Sequence, residues 1–241
     1  MDKKKKLISI IICLCIILVL SFVLFIINID YDDYVLELDI EQNNNVNNPI
    51  NYEEIIDDIR TQYNNDDVVG ILEINNTDYV VPVMQGDDND YYLNHTPDGK
   101  SNFMGSIYLD YRVDIDSSKK LLIYGHNSSN IDMPFKILEE FYDKEYYDNH
   151  KFVEITTSTM KKKFEIFSVH VETSDFSYMN INFDSDDDYL SHLEKLKSRS
   201  IYDTGVEISS DDEILILQTC STHRAYQKYS KKYLLIILRR V

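Results

Sequence analysis

The segment Ile214-Leu215-Ile216-Leu217-Gln218-Thr219-Cys220 sets four large aliphatic residues in a row, then two polar ones, then a thiol. A short apolar run of this kind predicts a buried strand, with Cys220 just past its end. A rigid strand fixes such a side chain, while the loop that follows leaves it accessible. That loop, Ser221-Thr222-His223-Arg224, is polar and partly basic, a setting that favours the thiolate. The competing reading is a cysteine that only packs in the core.

A second segment has the same build. Leu121-Leu122-Ile123-Tyr124-Gly125-His126-Asn127 is an apolar strand that delivers a titratable side chain after a glycine. The residues alone do not single out His126, because His95, His150, His170, His192 and His223 compete for a base role. His223 lies close to Cys220 in sequence, but a thiol nucleophile commonly takes its partner from a distant segment.

The other apolar runs are short and separated by turn residues. Val68–Ile74 and Tyr79–Met84 flank the turn Asn75-Asn76-Thr77-Asp78, and Ser106–Leu109 and Lys120–Tyr124 follow. Phe152–Thr156 and Phe164–Val171 alternate apolar and polar residues, with a turn expected at Lys161–Lys163. Tyr233–Leu238 ends the chain's pattern. Helices are predicted over Asn51–Tyr63, over Met133–Tyr147 with Asp132 as cap and Pro134 in the first turn, and over Asp186–Lys197. Eight short strands with few helices predict a mainly β fold, closed or nearly closed into a barrel.

The N-terminus sets the expected compartment. Lys3 to Lys6 precede an apolar run from Leu7 to Ile27 broken only by Ser9 and Ser21. About 20 such residues span a bilayer core of roughly 30 Å, whereas a cleaved signal peptide has a shorter apolar region and a small-residue cleavage site. Asn28-Ile29-Asp30 offers no such site. The expected organisation is a cytoplasmic basic tail at 1–6, a transmembrane signal-anchor helix at 7–29, an Asn/Asp-rich spacer at 30–50 and an extracellular folded domain at 51–241.

Of the 3 cysteines, Cys13 and Cys15 lie in the apolar run, so Cys220 is alone in the exported part and cannot pair within it. The net charge of −18 argues against nucleic acid as a partner, since a phosphate backbone needs a basic surface. No calcium-loop pattern makes a metal reading specific, and no cofactor is called for.

The strand-then-histidine segment Leu122–Asn127 and the strand-then-cysteine segment Leu217–Cys220 resemble the two catalytic signatures of sortases, the membrane-anchored cysteine transpeptidases of Gram-positive bacteria. Further segments resemble class B of that family. Tyr91-Tyr92-Leu93-Asn94-His95 and Gly105-Ser106-Ile107-Tyr108-Leu109-Asp110 are similar to its region before the histidine strand, and Phe135–His150 to the helix after it. Asp186–Tyr202 is similar to the helix inserted before the cysteine strand. The resemblance covers roughly residues 50 to 241.

It implies an eight-stranded sortase-type β-barrel with an N-terminal helix and a helix inserted before the cysteine strand. It also implies that Cys220 attacks the Thr carbonyl of an NPxT-like C-terminal sorting signal on a surface protein, with His126 as the proton-transfer group. A thioacyl enzyme forms, and an amine from peptidoglycan or from another protein such as a pilin releases it. Sortases carry an Arg at the start of the last strand to stabilise the oxyanion. Here that position holds Lys232, with Arg224 in the preceding loop as the other candidate, and Lys supplies charge without the planar fork of Arg. Asn89 and Leu93 match positions along the substrate groove in that class, and Tyr124 and Gln218, each two residues before a catalytic residue, would flank it. A membrane-anchored extracellular cysteine peptidase and a non-catalytic anchored binding domain are the alternative readings.

Overall fold

The structure is a computed structural model and describes residues 50–241. The expected basic tail, apolar span and nearly all of the spacer lie outside the described residues. Among the described residues, no helix is long and apolar enough to cross a membrane.

Aliphatic runs without alternation form strands covered on both faces. Leu121, Leu122 and Ile123, Ile214 to Leu217, and Leu234 to Leu238 are all fully buried. They belong to three of eight strands: β1 (Val68–Ile74), β2 (Val80–Met84), β3 (Tyr108–Leu109), β4 (Lys120–Tyr124), β5 (Phe152–Thr156), β6 (Lys161–Glu172), β7 (Ile214–Cys220) and β8 (Tyr233–Arg240). Hydrogen bonding closes them in the order β1-β2-β3-β4-β7-β8-β6-β5. The expected barrel of eight strands is therefore the observed fold.

Two joints are parallel, β2 with β3 and β4 with β7. The second decides the site. It sets Lys120 against Ile214 and Tyr124 against Gln218, so both chains leave the barrel at the same end.

Helix α1 (Tyr52–Tyr63) is capped by the Asn51 side chain and ends on Asn64 in the left-handed conformation, φ 50°, one of the few residues that tolerates it. It buries Ile56 and Ile59. Helix α3 (Asp186–Ser198) is capped by Ser185, with Asp186 to Asp188 in its first turn and Lys195 and Lys197 in its last. Each charge opposes the helix dipole at its own end.

The single helix expected over Met133–Tyr147 is two pieces, a 3-10 segment Lys136–Tyr142 and α2 (Lys144–Asn149). Asp143 separates them: its backbone is extended and its carboxylate caps Glu145 N. The expected turn at Lys161–Lys163 is strand, because Lys162 Nζ reaches Glu213 at 2.6 Å while Lys161 Nζ bridges Glu73 at 2.8 Å and Glu154 at 2.7 Å. Strand β7 runs on to include Cys220, which faces Tyr233 in β8.

Candidate active site

At the shared end of β4 and β7, the register carried two residues beyond Tyr124 and Gln218 sets His126 level with Cys220. Backbone and side-chain hydrogen bonds on either side of this pair lock the two chain segments together. Gly125 N donates to Gln218 O at 3.2 Å, Thr219 Oγ1 donates to Gly125 O at 2.7 Å, and Asn127 Nδ2 donates to Cys220 O at 2.9 Å.

Cys220 is exposed, yet partial burial of its sulfur pushes the thiol above its ordinary pKa, while the Lys232 ammonium pulls it back down. His126 is half-buried. Its Nε2 lies 2.8 Å from Leu93 O. A carbonyl only accepts, so Nε2 carries a proton and Nδ1 is the nitrogen left for exchange. No hydrogen bond joins the imidazole to Sγ among the described residues, and such contacts often tighten only with substrate bound.

Two glycines allow this arrangement. Gly105 has φ +63°, and a Cβ there would sit 2.6 Å from both Leu93 O and Tyr92 O. Backbone therefore packs directly on the carbonyl that holds His126. A Cβ on Gly125 would lie 2.6 Å from Phe135 Cδ2, and Phe135 N binds His126 O at 2.9 Å. Gly125→Ala is expected to cost about 1–3 kcal/mol, the scale of overpacking a filled core. Chemical denaturation measures that cost, and the loss of activity should exceed it, since Phe135 and His126 must shift together.

The loop after Cys220 is held from the side by the 3-10 segment Lys136–Tyr142. Glu139 accepts from Thr222 N at 2.5 Å and from the Thr222 hydroxyl. Tyr142 and Ser221 share a hydrogen bond between hydroxyls at 2.7 Å. Ser221 N donates to Lys232 O at 2.9 Å and His223 N to Ser221 Oγ at 3.3 Å. The three backbone N–H groups that follow Cys220 are thus all committed within the protein.

Lys232 stands immediately before β8, half-buried, with Nζ 3.3 Å from Tyr229 O. Arg224 is exposed at the start of a 3-10 turn, Arg224–Tyr226. His223 is exposed too, capping that turn and lying against the Tyr142 ring at 4.7 Å.

The remaining candidates divide. Leu93 lies beside His126 through its carbonyl, and Asn89 Oδ1 accepts from Tyr111 N at 3.1 Å. Tyr124 is buried and donates to Asp110 Oδ2 at 2.8 Å, while Gln218 Oε1 accepts from Tyr178 OH at 2.6 Å. Asp110 is fully buried; burial pushes its carboxyl up, but bonds from Arg112 and Tyr124 outweigh that and hold it below the usual range. Glu139, Tyr142, Asn127 and Phe135 escaped notice as supports, because nothing local in sequence marks a carboxylate or ring whose partner lies on another segment.

Comparison with known proteins agrees with this fold. The sortase domain family matches residues 72–237. Sortase B of Listeria monocytogenes is 36% identical over 177 residues, covering 73% of this chain and 72% of that protein. Sortase B of Staphylococcus aureus is 29% identical over 173 residues, covering 71% and 70%. The solved Staphylococcus aureus sortase B–substrate complex superposes with a TM-score of 0.70 at 26% identity, covering 78% of this chain and 85% of that one. The barrel, the inserted helix and these matches coincide along the same stretch, and the chain belongs to the sortase family of transpeptidases, in its class B.

Proposed function

We propose that Cys220 is the nucleophile and His126 the proton-transfer group of a reaction that cleaves an NPxT-like sorting signal and passes the acyl group to an amine. The observation that carries this reading is the meeting of the two residues at adjacent parallel strand ends, tied by Asn127 to the Cys220 carbonyl.

In the proposed sequence the Cys220 thiolate attacks the carbonyl carbon of the signal's Thr, forming a C–S bond and an oxyanion. The oxyanion lies beside the Lys232 ammonium, which favours negative charge as it develops. Collapse breaks the C–N bond, and His126 delivers a proton to the leaving amine. An incoming amine then attacks the thioacyl carbon, His126 takes its proton, and the thiolate departs. One group acts as acid and then base, as two steps with a shared intermediate require. Asn89 and Leu93 line one side of the groove, with Tyr124 and Gln218 behind the reacting pair.

The apolar segment 7–29 would anchor the enzyme in the cell membrane, with the barrel outside, where peptidoglycan and protein amines are both within reach. The test is to incubate the full chain with a peptide holding the signal, with and without a glycine-based amine. The expected outcome is a Cys220 acyl adduct in the intact mass and a peptide–amine product that forms faster than the hydrolysed acid. Hydrolysis alone, unchanged by amine, would establish a peptidase instead. A chain that neither acylates nor cleaves would establish a binding domain.

A further inference from the structure

Two lysines are withdrawn from water in this barrel, and only one has a counter-charge. Lys162 is 0% exposed and pairs with Glu213 at 2.6 Å. Lys120, at the start of β4, is 3% exposed. Its Nζ meets Asn180 O at 2.6 Å and His192 Nε2 at 2.9 Å, both neutral partners, and no carboxylate pairs with it among the described residues. Burial, aided by the nearby Arg112 charge, pulls its ammonium down to about 7, and burial drives His192 down to about 3. An unpaired buried cation is costly and is normally compensated.

Lys120 also lines a cavity of about 740 Å³ with Arg112, Lys119, Phe183, Ser185 and one carboxylate, that of Asp186. The Arg112 guanidinium spends two of its donors on buried Asp110. Lys119 is weakly held by the exposed Asp186, at 3.8 Å. Ser185 uses its oxygen to cap α3 and keeps its O–H as a donor. Three basic side chains thus line one cavity against a single carboxylate, an excess of positive charge that favours a multiply charged oxyanion over a neutral ligand. Lys120 and His126 are six positions apart, about 20 Å along an extended chain, so this is not the thiol site.

The geometry points to a binding site for a phosphate ester in this cavity, its phosphoryl oxygens supplying the counter-charge that Lys120 lacks and its organic part lying against Phe183. The phosphate can belong to a free metabolite or to a lipid headgroup.

The full chain in neutral detergent micelles should be titrated calorimetrically with glycerol 3-phosphate, and separately with phosphatidylglycerol added to the micelles. One saturable site is expected in at least one arm, and which arm saturates identifies the source. Lys120→Met should weaken binding at least tenfold and remove the ligand's stabilisation against heat. Lys119→Gln, at an exposed position, should weaken it several-fold. Transpeptidation should stay unchanged in both variants. Without ligand, Lys120→Met should melt close to the parent, because removing a buried charge that has no carboxylate offsets the two hydrogen bonds lost at Asn180 O and His192 Nε2. Absence of saturable binding in both arms would overturn the proposal. So would parental affinity in Lys119→Gln together with parental affinity in, or misfolding of, Lys120→Met.

Discussion

Replacing Cys220 by alanine should abolish transpeptidation and leave the barrel intact, which activity assay, circular dichroism and melting temperature would check. The residue is exposed at the end of β7, so the sulfur contributes little packing. No other cysteine exists C-terminal to the apolar run, so nothing can replace the nucleophile. His126→Ala should fall at least ~10²-fold, the range for a positioned proton-transfer group. His223→Ala is the matched control and should be mild, because that ring caps an exposed turn. Full activity in Cys220→Ala or His126→Ala would end the proposed assignment.

Lys232→Ala should lower the rate by about 10²–10³-fold, the scale for removing one oxyanion donor. The thiol feels the Lys232 charge, and the backbone N–H groups of Ser221, Thr222 and His223 are already bonded elsewhere. They leave the oxyanion no ready alternative. Lys232→Arg should retain or raise activity, since it supplies the residue usual in the family. Arg224→Ala should have a small effect. Alkylation separates electrostatics from packing: without Lys232 the thiolate loses a favourable charge, so the pH midpoint for reaction with iodoacetamide moves up. Lys232→Arg should keep the parental midpoint. A dead Arg224→Ala beside a near-normal Lys232→Ala would transfer the role to the loop arginine.

The lysine pairs show how far local reading reaches. β1, β4 and β5 have the bounds that their apolar or alternating runs suggest, because each pattern is complete within its own segment. Lys161 to Lys163 read locally as a turn, but their partners Glu73, Glu154 and Glu213 lie on other segments and make them strand. The helix break at Asp143 is similar: apolar spacing continues through it, while the extended backbone and the Glu145 cap interrupt the helix.

From sequence alone came the barrel class and the strand-borne Cys220, written in short contiguous runs, while the resemblance to sortases singled out His126 and the absent arginine. Tertiary structure alone decided that β4 and β7 are parallel neighbours, which brings a histidine and a cysteine from distant segments to one rim. It also decided that Leu93 O sets the imidazole tautomer, that Glu139 holds the loop after the thiol, and that Lys162 has a carboxylate where Lys120 has none. Each depends on hydrogen bonds or charges between segments far apart in the chain, and those distances are set by barrel closure, which no local pattern records.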